Sequence, residues 1–346
     1  KYAYGAFDVG CRRRERSVPT DFGQYVRCPI MSGKKGIETK QNERILVPLG
    51  RSRVHRNFHL VSEGSSFSAA CANDAVPKAL RSKGVVDLSF RMSRGRTHVD
   101  RSYQAGCLRM RQPRRDPVDV RPCAVLINTS GGLADGDSLT QTICWGENSE
   151  AIVTTQAAEK IYRALSQGSR INTRIEVASG AHAEWLPQET IMFDRARLTR
   201  EAHILLEGDV SFLGLEAVIL GRTAMGEQMR SGALSDRMRI YRDGHLIYAD
   251  ALELTGDIDA LMRRSAIADG AGAMAILVHA SAHVTGLLPA VRDALGCADG
   301  RAAASCWNGL LAVRFLAPDG ATLRHDIMTV LAPLRGGRPL PRVWRC

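Results

Sequence analysis

The chain has 346 residues, of which 45% are hydrophobic and 24% charged, values ordinary for a globular protein with a sizeable core. Its longest apolar runs, such as Ala271 to Ala280, are too short to cross a bilayer as a helix, and no secretory leader pattern opens it. The net charge of +11 invites a nucleic-acid reading, but aromatic side chains do not interleave with the basic ones, so the stacking platforms of RNA and single-strand binders are missing.

Residues 1–77 hold 13 Lys and Arg against 7 Asp and Glu, more than half of the whole excess. They show no sustained period of 2 or 3.6 and read as a basic, disordered N-terminal extension. A transit-like segment is the alternative, weakened by Asp8, Glu15 and Asp21. The first residue is Lys1, not Met, which reads as a fragment or a doubtful start. Residues 78–346 read as one β-rich domain.

From Lys83 the strand signals begin. Val86, Leu88, Phe90 and Met92 alternate with polar partners before the turn at Ser93-Arg94-Gly95. Ala124 to Asn128 is a short apolar run ending at Gly131-Gly132. Ile171, Thr173, Ile175 and Val177 share one face, Ser179-Gly180 turns the chain, and Ala181, Ala183 and Trp185 continue until Pro187. Leu198 to Leu206 and Val210 to Leu220 flank the turn Glu207-Gly208-Asp209, and Asp243-Gly244 reads as a hairpin turn. Ile258 to Ala268 has helical spacing with Asp257 as its cap. Ala273 to Ala280 is a strand, Leu287 to Leu295 a helix, Trp307 to Leu316 a strand, Asp319-Gly320 a turn, and Thr322 to Leu334 the last helix. The pattern predicts a mainly β (α+β) fold of layered antiparallel sheets, with a few helices near the C-terminal side.

Nine scattered cysteines form no CxxC pair, which removes zinc-ribbon and thioredoxin-like motifs and suits reduced thiols in a cytoplasmic protein. Gly131 to Asp137 has no P-loop lysine and is followed by strand-like sequence, so neither nucleotide motif fits. No nucleophile elbow surrounds Ser130 or Ser138. His279 and His283 stand four apart without the metalloprotease glutamate, and His182 shares a strand face with Glu184. The carboxylates Asp137, Glu159, Glu176, Glu184, Glu189, Glu216 and Glu227 fall within or beside strand-like, glycine-rich sequence. Glu216 lies in an otherwise apolar run, where it needs a partner or water; Arg222 is its nearest partner in sequence. A buried ion pair is one reading, and a wet passage lined by acids the other. Such a passage would attract a divalent cation without gripping it, because oxygen ligands hold nickel more weakly than imidazole or thiolate sets.

Six segments in order resemble one family, the UreD/UreH urease accessory proteins. They are Cys107-Leu-Arg-Met, Thr129-Ser-Gly-Gly-Leu-Ala-Asp-Gly-Asp137, Thr154-Thr-Gln-Ala-Ala-Glu-Lys-Ile-Tyr-Arg163, Glu184-Trp-Leu-Pro-Gln-Glu-Thr-Ile191, Leu220-Gly-Arg-Thr-Ala-Met-Gly-Glu227 and Leu340-Pro-Arg-Val-Trp344. The chain departs from that pattern at Asn128, where the family often has His, and at Ala134-Asp135-Gly136-Asp137, which carries an extra acid. The resemblance runs from about Lys83 to the end.

The resemblance implies a β-rich, non-enzymatic chaperone that binds apo-urease, UreF and, through it, the GTPase UreG. It further implies nickel(II) in transit through an internal tunnel, with no tightly bound cofactor. On that reading Asp137, Glu189 and Glu227 mark the cation path, with Glu184 and Glu216 behind them, and neither nucleic acid nor membrane is a partner. A metal-dependent hydrolase on a β scaffold is the alternative, and a nucleic-acid binder driven by residues 1–77 is the third class.

Overall fold

The computed structural model describes residues 81–345; the expectation of a disordered basic extension over residues 1–77 lies outside them. Strands β1 (Lys83–Ser93) and β2 (Arg96–Gly106) form a hairpin, followed by β3 (Leu108–Arg111) and β4 (Cys123–Asn128). The chain then coils through β5 (Ser138–Trp145), β6 (Glu150–Thr155), β7 (Glu159–Ile161), β8 (Ser169–Val177), β9 (His182–Leu186) and β10 (Thr190–Met192). It continues through β11 (Arg197–Leu206), β12 (Ser211–Leu220), β13 (Ser231–Arg242) and β14 (His245–Asp257). Next come α1 (Ile258–Met262), β15 (Ala273–Ala280), α2 (Leu288–Leu295), β16 (Arg301–Trp307), β17 (Leu310–Ala317) and α3 (Gly320–Leu334).

Two sheets result. The first runs β14-β13-β11-β8-β5-β1-β2, and the second runs β16-β17-β15-β12-β9-β6-β4-β3, with β7 and β10 extending it beside β12. The mainly β expectation holds, but the sheets are mixed and not antiparallel throughout: β15, β16, β17 and β3 pair antiparallel in the second sheet. In the first sheet β1, β5, β8, β11 and β13 are all parallel, as are β4, β6, β9 and β12 in the second. Successive strands pass from one sheet to the other, so each strand hydrogen-bonds to one a full coil away, in a solenoid-like arrangement. Strand length and turn spacing are the same for a coil and for a meander, which is why the pattern pointed to hairpins. Antiparallel strands β2 and β14 close the two edges of the first sheet.

The polar–apolar alternation fixes the faces. Leu198, Ala202, Ile204 and Leu206 of β11 turn inward with Ile171, Ile175 and Val177 of β8, forming one core between the sheets. In β12 both faces are covered: Phe212, Val218 and Leu220 join that core, while Leu213, Leu215 and Ala217 face the helices. Leu323, Ile327, Val330, Leu331 and Leu334 give α3 one apolar stripe against the second sheet.

Three local expectations change. Trp307 to Leu316 is two strands, because Asn308 and Gly309 (φ 50° and 70°) make a tight two-residue hairpin. The helix expected over Ile258 to Ala268 keeps its cap, Asp257 accepting from Ala260 N–H, but ends at Met262. Asp319 is the N-cap of α3, accepting from Thr322 N–H at 2.8 Å.

Candidate functional site

The corners that join the two sheets on one side of the coil carry the segments singled out in the sequence. Residues 129–137 follow β4, Tyr162 follows β7, Phe193 follows β10, and residues 221–230 follow β12. Backbone bonds tie each corner to the next: Leu133 N–H to Lys160 O at 2.7 Å, Phe193 N–H to Ile161 O at 3.0 Å, and Gly221 N–H to Met192 O at 2.7 Å. Side chains stack along the same axis. Tyr162 and Phe193 meet edge to face with centroids 5.1 Å apart, and the Arg222 guanidinium lies 4.2 Å over Phe193. Gly132 (φ 153°) closes the other end, where a Cβ would come within 2.5 Å of the Tyr162 ring.

The five acids named from the sequence go to different places. Asp137 is buried and accepts Ser82 N–H at 2.7 Å and Ala134 N–H at 2.8 Å, so it ties the glycine turn together. Its neighbour Asp135 likewise accepts Ser166 and Gly168 amides, which hold its carboxyl below the usual range. Glu184 belongs to a four-charge network that faces the helices. It pairs with Arg121 at 2.7 Å and Arg335 at 2.9 Å, both of which also bind Asp119. Glu189 pairs with Arg324 at 3.1 Å, and Arg324 also stacks on Trp344. Glu189 and Arg324 line a cleft of about 690 Å³ with Ile191, Ile219 and Arg222. Arg222 pairs in turn with Glu227, which is not itself part of the cleft wall.

Glu216 points between the sheets. Its partner is Arg200 of β11 at 2.6 Å, not Arg222, and the Trp185 indole N–H donates to it at 3.1 Å. Arg200 also grips Asp236 of β13 through Nε (2.9 Å) and Nη2 (2.6 Å), and Nη1 donates to Thr190 at 3.1 Å. One guanidinium therefore serves two enclosed carboxylates, and burial raises the Glu216 pKa. Thr190 stands directly beside Glu159 in the β7–β10 ladder. Glu159 accepts from the Asn128 amide at 2.9 Å, and burial pushes it up to about 7. The interior thus holds a polar row: Asn128, Glu159, Thr190, Arg200, and the pair Glu216 and Asp236. At the far end Glu216 and Asp236 line a cavity of about 300 Å³ between the sheets.

Arg200 and Asp236 were not singled out in the sequence, although a signal exists. Both occupy inward positions of alternating strands, Arg200 among Leu198, Ala202 and Ile204, and Asp236 between Leu234 and Met238. A charge on an apolar face asks for a partner. Only the parallel register Arg200 to Asp236 says which one.

His279 and His283 do not share a strand. His279 is buried, 3.2 Å from Ser211 Oγ, and burial holds its pKa down to about 4; His283 lies beyond the end of β15. Among the described residues one trio could offer three metal-binding atoms together, Asp299, His325 and Asp326, within 4.8 Å of one another. It joins the middle of α3 to the turn before β16, and Asp326 already accepts the Asp299 and Gly300 amides. No helix among the described residues is long and apolar enough to cross a membrane.

Comparison with known proteins covers the whole described domain. Residues 82–345 match the family model for the UreD urease accessory protein. The chain is 43% identical over 268 residues to the urease accessory protein UreD of Azorhizobium caulinodans, covering 78% of this chain and 98% of that one. The UreD of Xanthobacter autotrophicus is 44% identical over 264 residues, covering 76% and 90% of the two chains. That of Rhodopseudomonas palustris is 41% identical over 277 residues, covering 80% and 97%.

Proposed function

This chain belongs to the UreD family of urease accessory proteins, and from that premise we propose that it is a non-enzymatic, cytoplasmic scaffold that conducts nickel(II) into apo-urease. It would act in complex with apo-urease, UreF and the GTPase UreG, with no membrane or nucleic-acid partner and no cofactor of its own. The sequence has no P-loop lysine, which suits a chain that leaves nucleotide chemistry to a partner.

The observation that carries the reading is the Arg200 site, where one cation is shared between the enclosed carboxylates of Glu216 and Asp236. With both ionised the group holds an excess negative charge, inside a low-dielectric wall that strengthens its pull on a cation. The ligands are hard oxygens, and Arg200 already occupies part of each, so a nickel ion is attracted and then released. Glu159 and Thr190 extend the same row toward the glycine turn. Among the five acids, Glu216 is the interior station, Glu189 serves as an outer station at the cleft, and Glu227 stands behind it on Arg222. Asp137 and Glu184, each held by two partners, keep the path in shape.

The test is co-expression with the urease subunits. Glu216→Gln and Asp236→Asn should leave the accessory protein co-purifying with urease while lowering nickel per urease active site. Full nickel loading in both variants would refute the path, and failure of the unmodified chain to co-purify would refute the scaffold role.

A further inference from the structure

Glu216 on β12 and Arg314 on β17 share one cross-strand row of the second sheet, with only Ile276 of β15 between them. Their Cα atoms are therefore roughly 10 Å apart. The 300 Å³ cavity spans that gap. At its inner end are Glu216 and Asp236. At its outer end is the Arg314 side chain, 65% exposed and ion-paired with Asp250 of β14. Between the two ends the walls are apolar: Val218, Leu252, Leu254, Met274 and Ile276.

The geometry points to Arg314 as the entry gate of the cation path, held across the mouth by Asp250. The inference rests on reading Glu216 as a cation station. A guanidinium does not lose its proton in a protein, so while it lies at the mouth it cancels the Asp250 charge and an approaching cation meets the positive end of the pair first. Apolar walls focus that repulsion along the cavity. The Asp250 carboxylate is only 14% exposed while the guanidinium end reaches solvent, so an acidic side chain of a docked partner can compete for Arg314 from the outside and draw it off Asp250. That exchange leaves the Asp250 carboxylate facing the entrance and turns a repelling mouth into an attracting one. Partner binding and cation entry are then coupled through one side chain.

The Trp185 indole bonded to Glu216 supplies a reporter, because a paramagnetic nickel(II) ion arriving at Glu216 quenches its emission. In stopped-flow mixing of the full chain with nickel(II), the Trp185 component is the one that disappears in Trp185→Phe. Arg314→Gln should speed that component about tenfold, and Arg314→Lys, which keeps the charge, should retain the slow rate. An Arg314→Gln rate equal to that of the unmodified chain overturns the gate and leaves the cation path standing. If no variant shows a Trp185 component, the Glu216 station falls, and the gate with it.

Discussion

Arg200 and Glu216 belong to opposite sheets, yet their charged atoms lie 2.6 Å apart in the middle of the coil. This contact joins the two layers. Breaking it from the cationic side should be the more damaging change. Arg200→Met leaves Glu216 and Asp236 enclosed without a counter-charge, and we expect a loss of about 3–5 kcal/mol in urea unfolding. Glu216→Gln should cost clearly less, since Arg200 keeps Asp236.

Glu159 makes stability depend on pH. An exposed glutamate titrates near 4.3, whereas burial lifts Glu159 to about 7. Between those values the folded chain keeps a proton that the unfolded chain releases, so stability falls as the pH rises through this window and is lowest above 7. Glu159→Gln removes the dependence. It should match the unmodified chain at pH 5 and exceed it by about 1–3 kcal/mol at pH 8, read from chemical denaturation at the two pH values.

His279 acts in the opposite sense. Burial holds it neutral down to about 4, while an unfolded histidine takes a proton near 6.5. Acid therefore favours the unfolded chain from about 6.5 downward, and the loss is complete below about 4. His279→Gln should flatten that limb of the stability curve, leaving the carboxylate titrations. An unchanged slope between pH 6 and pH 4.5 would show that another group sets it.

Gly132 is the tightest point of the corner stack. An added methyl would meet the Tyr162 ring at 2.5 Å and Lys160 O at 2.8 Å, at a φ that L residues avoid. Gly132→Ala should cost about 1–3 kcal/mol and push Tyr162 off Phe193, with a matching loss in the near-ultraviolet dichroism of the aromatic groups. Gly131→Ala, with nothing within 4 Å of the new carbon, should bear only the cost of its left-handed φ.

Much of the β body was legible because alternation survives in single strands such as β8 and β11. Direction was not. Parallel and antiparallel strands bury the same residues, and the difference lies in where the chain goes after Gly180 and Gly208, into the other sheet and not back along its own. The same gap hid the site. Glu216 stood out as an acid in an apolar run, but its partner Arg200 is sixteen residues upstream on another layer. The nearer Arg222 serves Glu227. The Asn308-Gly309 turn was visible in the sequence, and the apolar continuity from Trp307 to Leu316 concealed it.

The parallel ladder also sets how this domain can be assembled. Each of β8, β11 and β13 must pair with a strand made roughly thirty residues earlier, so contacts are non-local and folding is slow. As the chain leaves the ribosome, each finished coil presents a bare hydrogen-bonding edge to which the next coil, or another nascent chain, can add. β14 ends that exposure by pairing antiparallel to β13. A chain cut short before His245 would be a growing end left open, prone to join other copies.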